Sequence, residues 1–150
     1  MTAARFYVAA QFLLILAFAA AVFLGPPALD VPEGYRGAGL VLCVAGLVII
    51  ATALWAMGHV MQVSPEPKSE GHLVTRGIYG WLRHPMYTGI LLIVVGLGMR
   101  QPSLLVGVAG GALIALLFMK ARYEERLLGV RYPDYAAYRA RTWGVLPPIR

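Results

Sequence analysis

Residues 86–119 read MYTGILLIVVGLGMRQPSLLVGVAGGALIALLFM. Two uncharged apolar runs, 86–99 and 103–119, flank a short break at Arg100-Gln101-Pro102. Runs of this length parted by a charged residue and a helix-breaking proline predict a helical hairpin. As a helix the first run would rise only about 21 Å, short of the roughly 30 Å hydrocarbon core of a bilayer. The pair is therefore either tilted in a thinned bilayer, or its first helix starts inside protein below the membrane surface. The second arrangement would put Arg83 and His84 in a recess.

Two further apolar runs precede the hairpin. Residues 6–24 carry one polar side chain, Gln11, and residues 37–61 carry no charge before His59. Each is long enough to cross the hydrocarbon core at about 1.5 Å per residue. A cleaved leader is disfavoured for the first, because the run exceeds an ordinary leader core and only Arg5 precedes it. Gly25-Pro26-Pro27 ends it, and Asp30, Glu33 and Arg36 make a polar loop. The composition agrees, with 59% hydrophobic and 13% charged residues, where soluble domains carry about 25% charged. Past Met119 the chain turns polar and basic. Residues 123–128 extend the fourth helix, Gly129 weakens it, and Pro133 starts a new short helix with Asp134 in its first turn. The expected fold is all-α and integral to the membrane, with four transmembrane helices, a loop on one face and short C-terminal helices. A single domain spans 1–150: two transmembrane helices in 1–61, then loop, hairpin and tail in 62–150.

Charge sets the orientation. With four spans, the N-terminus, the 62–85 loop and the tail share a face, and all of the 13 Lys and Arg residues except Arg36 and Arg100 fall there. The positive-inside rule puts that face and both termini in the cytoplasm. The Ala-, Gly- and Arg-rich composition is associated with high-GC prokaryotes, and the expected membrane is accordingly the plasma membrane. The net charge of +6 is thereby explained by anionic headgroups and not by nucleic acid. Cys43 lies in an apolar run, alone, and is read as a packing residue with no disulfide or metal role. No metal-ligand spacing occurs.

Two polar clusters reach the cytoplasmic face. The first is GHLVTRGIYGWLRHPMYTG, residues 71–89, and the second is Tyr123-Glu124-Glu125-Arg126. Pro85 suits the first position of a helix, where its missing N–H costs nothing. That leaves His84 at a helix mouth, beside free backbone N–H groups that attract acceptors. The plain alternative is an aromatic belt of Trp81 and Tyr87 with Arg83 snorkelling to the surface. Glu124 and Glu125 point about 100° apart on a helix and cannot both face lipid. They either form a solvated ladder with Lys120 and Arg122 or hold a cation such as an ammonium or sulfonium.

Residues Leu73-Val74-Thr75, Gly77, Tyr79 and Arg83-His84-Pro85-Met86-Tyr87-Thr88-Gly89, followed after an apolar hairpin by Glu124-Glu125, resemble the isoprenylcysteine carboxyl methyltransferase family and the related phospholipid methyltransferases. The Tyr132, Tyr135 and Tyr138 run and Val145-Leu146-Pro147 are similar to that family's tail. The resemblance covers about half the chain, and Ile78 departs from it where the family often has proline. It implies S-adenosylmethionine as cofactor, enclosed by loop, hairpin and tail, with S-adenosylhomocysteine as product. By motif, His72, Leu73, Val74, Gly77 and Tyr79 would line the nucleoside side, and His84, Pro85 and Tyr87 would flank it. Glu124 and Glu125 would hold the methionine ammonium, and Arg83 would orient an anionic acceptor as the catalytic residue. The implied substrate is lipophilic: a carboxylate as in isoprenylcysteine, with amine or thiol as alternatives. Four spans leave a lipid-sized site partly uncovered, which leaves room for a homodimer.

Two other readings compete. Membrane sterol reductases carry a related Arg-His-Pro-x-Tyr segment and use NADPH, yet Lys68 and Arg76 are a thin basic supply for its 2′-phosphate. A non-enzymatic membrane scaffold would need no ligand; a channel is disfavoured because no span has a polar stripe.

Overall fold

The computed structural model describes residues 3–26, 29–58 and 73–147. In chain order these form α1 (Ala3–Leu24), α2 (Glu33–Met57), a 3-10 turn (Gly77–Gly80), α3 (Pro85–Arg100), α4 (Leu104–Arg131) and α5 (Tyr135–Arg141). The fold is all-α; no strand occurs among the described residues, only an isolated bridge between Leu82 and Trp143. Three helices, α1, α2 and α4, are long and apolar enough to cross a membrane, while α3 has 16 residues and falls short. The outward faces of α1 and α2 are apolar, with Leu13, Phe23 and Trp55 exposed, as lipid-facing surfaces require.

The boundaries follow local chemistry. Pro85 occupies the first turn of α3, and the Ser103 hydroxyl accepts from the Val106 N–H at 3.2 Å to cap α4. Helix α4 passes through Gly129 and ends at Arg131, three residues beyond the expected stop. A single glycine costs only about 1 kcal/mol in a helix, too little to stop one of 28 residues. Helix α5 begins at Tyr135, after Asp134. The Leu29 N–H donates to the Pro102 carbonyl at 2.8 Å, joining the α1–α2 loop to the α3–α4 connection.

Helix α2 packs along α3 and α1 along α4. The α2–α3 contact is a backbone-to-backbone approach at two points. A Cβ on Gly46 would lie 2.5 Å from the Gly89 carbonyl oxygen, and one on Gly39 would lie 2.6 Å from that of Gly96. Only glycine allows helices so close, and the two points fix the antiparallel register. On the other side, Phe18, Ala21 and Val22 of α1 pack with Val94, Leu113 and Leu117 in the core. Nearer the site, Tyr7 meets Tyr123 at 5.2 Å between ring centres. The tail is tied back to the mouth of α3. The Arg83 N–H donates to the Trp143 carbonyl at 2.8 Å, the Trp143 N–H donates to that of Trp81 at 2.9 Å, and the Thr88 hydroxyl donates to that of Val145.

Candidate functional site

At the mouth of α3 the His84 carbonyl accepts from the N–H groups of Tyr87 and Thr88 at 3.0 and 3.1 Å. That turn stacks the His84 ring on Tyr87, with 5.4 Å between centres and planes 4° apart. From α4, Glu124 and Glu125 come to meet them. Glu124 accepts from the Tyr87 hydroxyl at 2.6 Å and faces His84 Nδ1 at 3.5 Å. Glu125 accepts from Arg83 Nε at 2.8 Å, and faces His84 Nε2 at 3.3 Å and Arg139 Nε at 3.5 Å. Both ring nitrogens of His84 therefore meet a carboxylate. The acids form no solvated ladder, since their side chains are only 16% and 13% exposed. Tyr87 is likewise buried, not part of a surface belt, whereas Trp81 is exposed.

Arg83, assigned from sequence to the acceptor, has a nearly buried side chain. Besides Glu125, its Nη1 donates to the carbonyls of Thr142 and Arg139 and to the Thr142 hydroxyl. This guanidinium joins α3, α4 and the tail, and the planar fork of arginine suits such convergent acceptors. Tyr79 is buried, and its carbonyl accepts from the Tyr138 hydroxyl at 2.7 Å. Burial, and after it the neighbouring Tyr138 and Glu124, pushes the Tyr79 phenol above the ordinary tyrosine value, so it stays protonated. Leu73 and Val74 are half-buried in the extended segment before the turn. Gly77 has a φ of +60°, a conformation glycine adopts freely, and a Cβ there would meet Ala56 of α2 at 3.4 Å. The structure thus brings Arg83, His84, Pro85, Tyr87, Glu124 and Glu125 together, with Tyr79 beside them. Leu73 and Val74 are half-buried, and Gly77 lies against Ala56 of α2; among the described residues none of the three contacts the cluster directly. His72 falls outside the described residues.

Beside Glu125 the end of α4 and α5 border an open groove of about 650 Å³, lined by Glu125, Arg126, Tyr135 and Arg139 among others. Tyr135 is 3% exposed, and its hydroxyl finds no hydrogen-bond partner among the described residues. Arg139, Thr142, Gln11 and Lys120 were not assigned to the site from sequence; Gln11 was noted only as a polar residue in a span, and Lys120 only as a partner in a surface ladder. Gln11, a polar side chain within an apolar span, was a usable signal; Thr142 acts largely through its carbonyl, which sequence does not display.

Burial works against charging His84, but the hydrogen bonds and charges of Glu124 and Glu125 outweigh it and raise the pKa. A histidine with a raised folded pKa contributes stability that is full below its unfolded value, about 6.5, and lost as pH climbs through the folded value. Thermal unfolding in detergent is expected to show a midpoint that falls as pH rises above about 6.5. His84→Gln should flatten that slope; an unchanged slope would contradict the protonated histidine.

Comparison with known proteins places this constellation in context. A family model described as phospholipid methyltransferase matches residues 35–135. The chain is 32% identical over 150 residues to the probable protein-S-isoprenylcysteine O-methyltransferase of Oryza sativa subsp. indica, covering 91% of this chain and 77% of that one. It is 29% identical over 119 residues to the human protein-S-isoprenylcysteine O-methyltransferase, covering 75% and 41%. With the cobalt-zinc-cadmium resistance protein CzcN of Cupriavidus metallidurans it shares 38% identity over 78 residues, covering 51% and 36%. The solved structure of the eukaryotic intramembrane Ras methyltransferase ICMT superposes with a TM-score of 0.68 at 25% identity, over 99% of this chain and 55% of that one. The chain spans less than half the length of several of these curated relatives.

Proposed function

Because the chain belongs to the phospholipid methyltransferase family, we propose that it transfers a methyl group from S-adenosylmethionine to a lipophilic acceptor within the membrane. The observation that carries the reading is the meeting of His84 and Tyr87 with Glu124 and Glu125 at 2.6–3.5 Å. The donor set fits the cofactor. Two half-buried carboxylates side by side suit an ammonium, and the unpartnered Tyr135 hydroxyl stands beside the groove that reaches Glu125.

When bound, S-adenosylmethionine supplies a methyl group activated on a positively charged sulfur. In this reading Glu124 and Glu125 bind the methionine ammonium, with Tyr87 and Arg83 fixing their rotamers. His84 and Pro85 shape the mouth of α3, while Leu73, Val74, Gly77 and Tyr79, with His72, line the nucleoside side. Arg83, whose guanidinium is already held by Glu125 and by carbonyls of the tail, would act on an anionic acceptor through its charge and not by direct contact. An isoprenylcysteine-type carboxylate, favoured by the relatives' names, is already a nucleophile and needs no base. The protein's part is then to align the reacting atoms and exclude water.

The proposal extends to architecture: α3 crosses as a fourth span, forming a hairpin with α4, in a single domain. The basic faces set both termini in the cytoplasm of a prokaryotic plasma membrane, and a second copy covers the open side of the site.

Purified chain would be incubated with S-adenosylmethionine labelled in the methyl group and an S-farnesylated cysteine. Label extracted with the lipid and released by alkali as methanol supports an ester product. Alkali-stable label would shift the acceptor to an amine or thiol, and no transfer to any prenylated or phospholipid acceptor would contradict the reading. Tyr135→Phe sharpens the test. Removing an unpartnered buried hydroxyl is expected to leave stability within about 1 kcal/mol. Binding of S-adenosylhomocysteine should nevertheless weaken severalfold, and a calorimetric titration checks it.

A further inference from the structure

Lys120 is 2% exposed, among the most buried side chains of the molecule, although it belongs to a membrane helix. A cation there is costly unless held by polar partners, and such residues tend to serve function. Its Nζ donates to Gln11 Oε1 of α1 at 2.6 Å, and Gln11 is itself buried. The same Nζ lies 5.4 Å from the centre of the Tyr87 ring. Tyr87 in turn stacks on His84 and donates to Glu124, and Glu124 sits one helical turn beyond Lys120 on the same face. A chain of contacts therefore runs from α1 into the acidic pair: Gln11, Lys120, Tyr87, Glu124. Its first member lies outside residues 35–135, the segment the family model matches.

We infer that Lys120, held by Gln11, is a positioning residue that locks the Tyr87 phenol and through it Glu124 in the geometry that receives the cofactor ammonium. This rests on the proposed methyl-donor reading and adds α1 to that site. A cation attracted to an aromatic face holds the ring in its place, and the ring carries the hydroxyl that fixes Glu124. Without the ammonium the Tyr87 ring loses the contact on its face and is held less firmly, and Glu124 loses a positive charge one turn away. A residue that merely tied α1 to α4 would lower stability without acting through Tyr87.

A double-mutant cycle separates the two roles. Binding of S-adenosylhomocysteine would be measured by calorimetry on the full chain in detergent, alongside thermal unfolding. Lys120→Met is expected to weaken binding about tenfold in the parent, but less than about threefold when Tyr87→Phe is already present. Lys120→Arg, which keeps the cation, should recover most of the loss. Should Lys120→Met not fold, Gln11→Leu carries the same cycle, because it removes the acceptor that aims the ammonium at the ring. Equal losses in both backgrounds, or parent-like binding by Lys120→Met, would overturn this proposal alone. A parent protein that binds no S-adenosylhomocysteine would overturn the donor reading, and this inference with it.

Discussion

The substitution Glu125→Ala is expected to weaken S-adenosylhomocysteine binding by about a hundredfold or more and to destabilise the fold by about 3 kcal/mol. Glu125 is the carboxylate on which Arg83, His84 and Arg139 converge. Its removal leaves the Arg83 guanidinium, whose side chain is 2% exposed, without its anionic partner, and an orphaned buried charge costs more than an intact pair contributes. The same change removes one of the two acids proposed to hold the ammonium. Glu125→Gln separates the effects: it keeps the shape and an acceptor for Arg83, so it should recover part of the stability while binding stays weak. Calorimetric titration and thermal unfolding of both variants check this. Binding within about threefold of the parent in Glu125→Ala would remove Glu125 from the site.

Gly46→Leu is expected to yield no monodisperse folded protein. A Cβ at Gly46 would meet the Gly89 carbonyl oxygen at 2.5 Å and Ile93 Cγ1 at 2.8 Å. Backbone cannot yield as a side-chain tip does, so α2 would have to leave α3. The second close approach, Gly39 on Gly96, would open with it. Because α3 begins at the His84–Pro85 mouth, separation of the helices would also disturb the site. Gly111→Ala is the control: that glycine faces open space on α4, and alanine there is expected to be neutral or stabilising by up to about 1 kcal/mol. Size-exclusion profiles and unfolding midpoints in detergent distinguish the two. A folded Gly46→Leu protein of parent-like stability would contradict the described α2–α3 packing.

The helical, membrane-embedded character was legible because it depends on long uncharged runs, which residues 6–24 and 103–119 display outright. The end of α4 was less so: Gly129 signals weakness locally, yet the helix runs on through it to Arg131 with its last three residues exposed. Which helices pair was not legible either. The run 86–119 pointed to a partnership of neighbours, yet α3 packs chiefly along α2, because the glycines at 39, 46, 89 and 96 let backbones touch. At the site, Arg83, His84, Tyr87, Glu124 and Glu125 were all flagged through the motif that carries the family resemblance; their chemistry alone left a snorkelling arginine, an aromatic belt and a solvated ladder open. That Arg83 would be braced by Thr142 and Arg139 carbonyls was hidden, as every residue carries a carbonyl and only the fold decides which ones converge. Lys120 was read as one rung of a surface ladder; its burial against Gln11 depends on how α1 docks, which periodicity does not encode.

In the proposed function, the mouth of α3 and the acidic pair of α4 together receive the methyl donor. The direct measurement is a calorimetric titration of S-adenosylhomocysteine into the purified parent chain, repeated with Glu124→Gln. Micromolar or tighter binding by the parent is expected, accompanied by a rise in unfolding temperature, with at least about tenfold weaker binding by the variant. No heat and no thermal shift with the parent, or equal binding by both proteins, would contradict it.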